Sequence, residues 1–215
     1  MDFEAFQEIV KGRRSIRRFT ATPVQTELIH ELVDCARYAP SDTNSQTWEF
    51  IAILDPNKIR AISDLTWTQL NRIAGEAEAQ GLVKEARLLL RSFGPYATAF
   101  VHAPALIVVL STPYTSKFRD KIFEPLQMVS KETWDLEGTK SSCLAAQNFM
   151  LAAHAMGLAT CPMTGPVLLA EAQLKEFLNI DEEKHVNMVL ALGYSDEKPS
   201  APKRREVDEI LRIIE

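Results

Sequence analysis

The sequence predicts an α+β fold in which helices pack on one central sheet. Apolar residues recur at helical spacing in several long segments. Short, nearly unbroken apolar runs read as strands. The two kinds of segment alternate without the strict strand–helix–strand regularity of a doubly wound parallel sheet. The chain has 215 residues, 46% of them hydrophobic and 25% charged, which is near the globular average and fits a single domain over 1–215.

Phe3–Val10 reads as a short helix with Phe3, Phe6, Ile9 and Val10 on one side, ended by Gly12. A second helix runs to about Tyr38 on the stripe Leu28, Ile29, Leu32, Val33 and Ala36. Either Thr22-Pro23-Val24-Gln25 caps it, or it starts a turn later. Pro40 closes it, and Ser41–Thr47 is a polar loop. Trp48–Leu54 reads as a buried strand, Asp55-Pro56-Asn57 as a turn and Lys58–Ser63 as a short helix. Trp67–Phe93 is a long helical stretch, weakened at Gly75 and Gly81 and broken by Gly94-Pro95. Pro104–Ser111 is apolar almost throughout, as a strand covered on both faces should be. Lys117–Trp134 admits more than one reading, because Pro125 starts, kinks or splits any helix there. Thr139–Met156 is the strongest helix. It is alanine-rich and apolar nearly all round, which suits a core pillar or a subunit interface. Gly157 is its C′ residue, Leu158–Met163 is short and extended, and Val167–Leu178 is amphipathic. His185–Tyr194 is a third strand, and the tail from Pro199 ends in the strand-like Ile210–Ile214.

The longest apolar runs, Pro104–Leu110 and Met188–Leu192, fall far short of the ~20 residues that a membrane span needs. The acidic start Met1-Asp2-Phe3-Glu4 offers no secretory h-region. Cys35, Cys143 and Cys161 are few, odd in number and widely spaced, which suggests a reducing, cytoplasmic setting. Net charge is −5. Lys11–Arg18 carries five positive residues and no acid, and Lys203–Arg205 carries three and no acid. The −5 total less those eight leaves −13 on the rest of the chain. An acidic protein with two small basic islands is no nucleic-acid binder. The islands suit a compact anion such as one phosphate group, or else they are solvated surface charges.

No Gly-x-Ser-x-Gly elbow, His-Glu-x-x-His or Walker-type loop is present. His30, His102, His154 and His185 are scattered, with no metal-ligand spacing. Cys161, before Pro162 in an apolar run, reads as a buried inert thiol. An enzyme built this way takes its reactivity from a cofactor. Three segments stand out. In Arg13-Arg14-Ser15-Ile16-Arg17-Arg18-Phe19, an extended backbone would put Arg13, Ser15 and Arg17 on one side. That side offers two guanidinium forks and a hydroxyl to a phosphate or a polar ring edge. Ala39 through Trp48 packs donors and acceptors into one loop, and reads as a heterocycle-edge contact or an ordinary turn. Gly157–Gly165, followed by Lys203–Arg205, would let backbone approach a flat ligand beside a second anion clamp.

In this order these segments resemble the FMN-dependent nitroreductase family. Its signatures look like Arg-x-Ser-x-Arg/Lys-x-Phe, Ala-Pro-Ser-x-x-Asn-x-Gln-Pro-Trp, Gly-Leu-x-x-x-x-x-x-Gly and a C-terminal Lys-x-Arg. They match Arg13–Phe19, Ala39–Trp48, Gly157–Gly165 and Lys203–Arg205 here. The resemblance implies a nitroreductase-like fold, a central mixed sheet flanked by helices, in a homodimer with shared flavin sites. It implies FMN as cofactor and NADH or NADPH as electron donor. The reaction would be ping-pong hydride transfer through flavin N5 to nitroaromatic, quinone-like or other planar acceptors. By resemblance, Arg13, Ser15 and Arg17 contact the flavin phosphate, ribityl chain and pyrimidine edge, with Arg14 assisting. Ser41, Asn44 and Gln46 come from the second protomer. Pro162, Thr164 and Gly165 flank the ring, and Lys203 and Arg205 clamp the phosphate. Relatives of this kind also include dehalogenases, enone reductases and flavin-fragmenting enzymes, and a non-catalytic FMN-binding dimer is the other alternative. Two departures stand out. Thr47 occupies the position of the family's usual proline, and no flavin contact finds a match from Trp67 to Phe100. That stretch offers Trp67, Phe93, Tyr96 and Phe100, either to stack on a planar acceptor or to fill the core.

Overall fold

In the computed structural model, residues 2–215 are described. Helices α1 (Phe3–Gly12) and α2 (Thr26–Ala36) precede strand β1 (Glu49–Ile53). Three helices follow, α3 (Pro56–Ala79), α4 (Val83–Leu88) and α5 (Gly94–Ala97), then β2 (Ala105–Ser111). The rest is α6 (Lys131–Ala155), β3 (Ala159–Met163), α7 (Gly165–Leu178) and β4 (His185–Gly193).

The four strands form one sheet in the order β1-β2-β4-β3. All three pairings are antiparallel. This corrects the expected mixed sheet: among the described residues, the parallel component is a single bridge, Ser15 to Thr160, on the edge of β3. Every residue of β2 is buried, and its side chains alternate between two cores. Ala105, Ile107 and Val109 face Leu32 of α2 and Ala145, Phe149 and Ala153 of α6. Leu106, Val108 and Leu110 face Ile59 and Ile62 of α3 and Leu174 of α7. The helices thus cover both faces of the sheet.

The start of α2 falls at Thr26, a turn after Pro23, with Gln25 as its N-cap. Asp55-Pro56-Asn57 is no turn. The Asp55 carboxylate accepts the Asn57 N–H at 2.8 Å and Pro56 occupies the first helical turn, so a 24-residue helix starts there and absorbs Lys58–Ser63. Gly75 leaves that helix intact, and the break comes at Gly81, whose φ of 85° suits glycine. Gly94-Pro95 does not stop the chain either. A π-helical turn, Leu89–Phe93, runs into α5, with Pro95 at its start where no N–H is needed. Between Lys117 and Trp134, a π-helical turn at Arg119–Phe123 precedes Pro125, and α6 begins eight residues earlier than Thr139, capped by the Ser130 hydroxyl. Gly157 has φ 77° and terminates α6 as expected. The Ile210–Ile214 segment is no strand. It lies exposed beyond a 3-10 turn at Val207–Glu209, because β-branched residues form a strand only against a partner edge.

Candidate functional site

The Arg13–Phe19 segment is extended and lies along β3. The Ile16 N–H donates to the Thr160 carbonyl at 3.0 Å. Ile16 is buried, and Arg13, Ser15 and Arg17 are half-buried on the opposite side of the strip, the alternation expected of an extended chain. The far end of the chain holds the strip from its other flank. Glu197 Oε2 accepts the N–H groups of both Arg17 and Arg18 at 3.1 Å. Ser195 Oγ donates to the Arg18 carbonyl at 2.5 Å, and Thr20 N–H donates to the Tyr194 carbonyl at 2.8 Å. Nothing in the sequence marks Glu197 for this role, since the contact spans 180 residues.

The basic islands come together here. Burial lowers the affinity of the Arg13 guanidinium for its proton, and the positive charges of Arg14 and then Arg204 lower it further. Arg204 is thus within electrostatic reach of Arg13, and it lies between the exposed Lys203 and Arg205. Arg13 Nη1 and Arg17 Nε are both buried without a hydrogen-bond partner among the described residues. Unpaired cationic N–H groups are costly in a folded protein and are satisfied by an anion or polar ligand. A cavity of about 350 Å³ opens beside Arg13, Arg14, His154, Thr160 and Glu197. Burial, with Arg13 and Arg14 nearby, pushes the His154 imidazole down from its ordinary pKa. Burial pushes the Cys161 thiol up and outweighs the nearby arginines, so it is the inert thiol expected.

Pro162 lies in β3 opposite Leu190, Thr164 is the N-cap of α7, and Gly165 is the first residue of that helix. A Cβ on Gly165 would sit 2.6 Å from the Cβ of Ala97, so only glycine lets α7 start against α5. The free N–H groups of an α-helical N-terminus are positive and suit an electron-rich ligand edge. Beside Ala97, Tyr96 is exposed and meets Arg17. One Arg17 Nη donates to the Tyr96 hydroxyl, and the guanidinium carbon lies 4.2 Å from the ring centroid. Of the four aromatics named above, Phe100 is wholly buried and belongs to the core. Trp67 packs on Gly94 and Phe93 is half-buried, so Tyr96 alone of the four stands exposed at the site.

The Ser41–Thr47 loop is wound tightly. Thr43, Asn44 and Gln46 all have φ near +50°, an uncommon state for residues with a Cβ that persists where surroundings enforce it. The Ser41 hydroxyl accepts the Gln46 N–H at 3.0 Å, and Thr43 pairs with the Tyr114 hydroxyl. Thr47 is 3% exposed, and its hydroxyl and that of Ser45 are unpaired among the described residues. This loop leads into Glu49, which faces Leu110, which faces Val186 at the start of β4. Thr160, beside Arg13–Arg17, faces Leu192 near the end of β4 and lies on the opposite edge strand. Six residues along a strand and three strand spacings across separate them by roughly 20 Å and 14 Å. One protomer therefore does not bring Ser41, Asn44 and Gln46 to Arg13 and Arg17.

The sequence profile of the Nitroreductase family matches residues 10–194. The chain is 27% identical to a 4-nitrobenzoate reductase of Pseudomonas putida over 93% of its own length and 89% of that protein. Its fold superposes on a BluB-like flavoprotein from Clostridium difficile 630 with a TM-score of 0.85, at 26% identity over the whole of both chains. It also resembles an NADPH:FMN oxidoreductase from Vibrio harveyi, at 22% identity and a TM-score of 0.69, covering 97% of this chain and 76% of that one. The chain belongs to the nitroreductase family and is an oxidoreductase of that family.

Proposed function

We propose that the protein is an FMN-dependent NAD(P)H oxidoreductase that acts as a cytoplasmic homodimer and reduces nitroaromatic or quinone-like acceptors by a ping-pong exchange at one site. The observation that carries this reading is the pair of half-buried arginines, Arg13 and Arg17, each with a buried guanidinium N–H unpaired among the described residues, and the positive charge of Arg204 within electrostatic reach of Arg13. A flavin mononucleotide fits that donor set, since it has one dianionic phosphate and one polar ring edge to accept from donors that are unpaired among the described residues. The family's 4-nitrobenzoate reductase and the structurally similar flavoprotein and FMN oxidoreductase support it.

When bound, the flavin supplies hydride acceptance and donation that no side chain can. The chain's own residues bind and orient. Arg13, Arg14, Lys203 and Arg205 gather the phosphate, and Ser15 contributes a hydroxyl to the sugar-like chain. Arg17 would hold a positive charge beside the pyrimidine edge, where it would stabilise negative charge. Pro162 would wall one side of the ring, with the backbone N–H groups of Thr164 and Gly165 turned to its edge. Ser41, Asn44 and Gln46 would complete the site from the second protomer, a role that their place at the far corner of the sheet supports. Exposed Phe3, Phe6, Leu144, Ile210, Ile213 and Ile214 supply apolar surface for such a dimer.

The test is a visible spectrum of the purified protein before and after each nicotinamide. Bound flavin should absorb near the usual flavin bands and bleach with NADH or NADPH, then recover with a nitroaromatic. Colourless protein that FMN cannot reconstitute refutes the reading. Flavin that stays oxidised under excess nicotinamide favours a non-catalytic binding protein instead.

A further inference from the structure

The contacts of Arg17 divide in a way that points beyond the four short motifs, to Tyr96. One Nη donates to the Ser15 carbonyl at 3.3 Å and the other to the Tyr96 hydroxyl, while the buried Nε has no partner. The guanidinium lies over the Tyr96 ring. Two of its three nitrogens are held by protein, and the third is buried and unpaired among the described residues. We infer that Tyr96 is a positioning residue: it holds Arg17 at the ligand edge of the site before the ligand arrives, an inference that rests on the FMN reading above.

Tyr96 is suited to this because its own backbone is fixed. A Cβ at Gly94 would lie 2.3 Å from the Trp67 ring, so glycine alone lets that ring seat beneath α5. The Trp67 indole N–H donates to the Thr98 hydroxyl at 3.1 Å, and that hydroxyl donates to the Gly94 carbonyl at 3.0 Å. Ala97 abuts Gly165 at the start of α7. The short helix is therefore pinned by Trp67 on one side and by α7 on the other. Tyr96 itself is 57% exposed and has no core to fill. Its visible work is the stack and the hydroxyl on Arg17. Ordering a free arginine side chain costs conformational entropy, and Tyr96 supplies that order in advance. The hydroxyl accepts from Arg17 and so keeps the guanidinium plane aligned as well as near.

The experiment is an FMN titration of flavin-depleted full-length protein, followed by flavin fluorescence, with oxidised and with dithionite-reduced FMN. Tyr96→Phe keeps the stack and loses the hydroxyl, and should weaken FMN about threefold. Tyr96→Leu loses both and should weaken it about tenfold. In an Arg17→Ala background, Tyr96→Leu should change affinity by less than about twofold, because its effect runs through Arg17. The ratio of reduced to oxidised affinity should move in the same direction in Tyr96→Leu as in Arg17→Ala, which a merely structural role would not produce. Equal losses with and without Arg17, or no loss in either tyrosine variant, overturn the inference and leave the FMN reading standing. Failure of the unaltered protein to bind FMN overturns the reading and the inference with it.

Discussion

Replacing Arg13 with methionine separates two effects that the structure sets against each other. The guanidinium is partly buried, faces the charges of Arg14 and Arg204, and leaves Nη1 unpaired. Without a ligand this arrangement costs free energy, so Arg13→Met should melt at the same temperature as the unaltered protein or higher. With FMN the same groups become charge-assisted donors, worth about 1.5–3 kcal/mol, or roughly 10- to 150-fold in affinity. At an FMN concentration 100 times the unaltered protein's Kd, binding stabilises it by about 2.7 kcal/mol. A variant with hundredfold weaker binding gains only about 0.4 kcal/mol at that concentration. For a domain of this size, with about 2–4 °C per kcal/mol, the FMN-induced rise in Tm should fall from roughly 5–10 °C to about 1–2 °C. Circular dichroism melts with and without FMN measure both quantities. An undiminished FMN shift, or a ligand-free variant that melts lower, refutes the reasoning.

Three further outcomes follow from single contacts. His154 has its pKa held below the ordinary histidine value, by burial first and the nearby arginines second. The folded state therefore binds fewer protons than the unfolded chain, and stability present above about pH 6.5 is lost as pH falls through the folded value. His154→Gln should flatten that fall in Tm between about pH 7 and 5, and an unchanged profile counts against it. Gly165→Ala puts a methyl 2.6 Å from the Cβ of Ala97, an overpacking worth about 1–3 kcal/mol, and Ala97→Gly in the same chain should restore Tm. Thr47→Val removes a buried hydroxyl with no partner. Urea denaturation should show a gain of about 1 kcal/mol, and a loss would mean that the hydroxyl has a partner after all.

The strip Arg13–Arg17 was legible because alternation in an extended chain is a local property, and the structure keeps Ile16 in and its neighbours out. The buried run of β2 and the glycine stop at Gly157 were legible for the same reason. Asp55-Pro56 misled because an N-cap followed by proline has the composition of a turn. What decides between them is whether the next twenty residues keep a buried face, and Ile59, Ile62, Leu70 and Ala74 do. Gly94-Pro95 misled likewise, since the glycine serves the Trp67 ring and not a chain break. The parallel strand content expected of the sheet shrank to one bridge because strand direction depends on how the chain returns, which no local pattern encodes.

From its sequence alone this protein had its helices and strands, its two-faced central strand and its clusters of positive charge. Those follow from side-chain period, from turn chemistry and from counting ionisable groups. Tertiary structure decided which charges meet. It brought Arg204 to Arg13, Glu197 to the backbone of Arg17 and Tyr96 to the Arg17 side chain, and it kept Ser41, Asn44 and Gln46 at the far corner of the sheet. Contacts across 79 and 180 residues are set by how whole elements pack against one another. That packing is a property of the assembled core and not of any short stretch of chain.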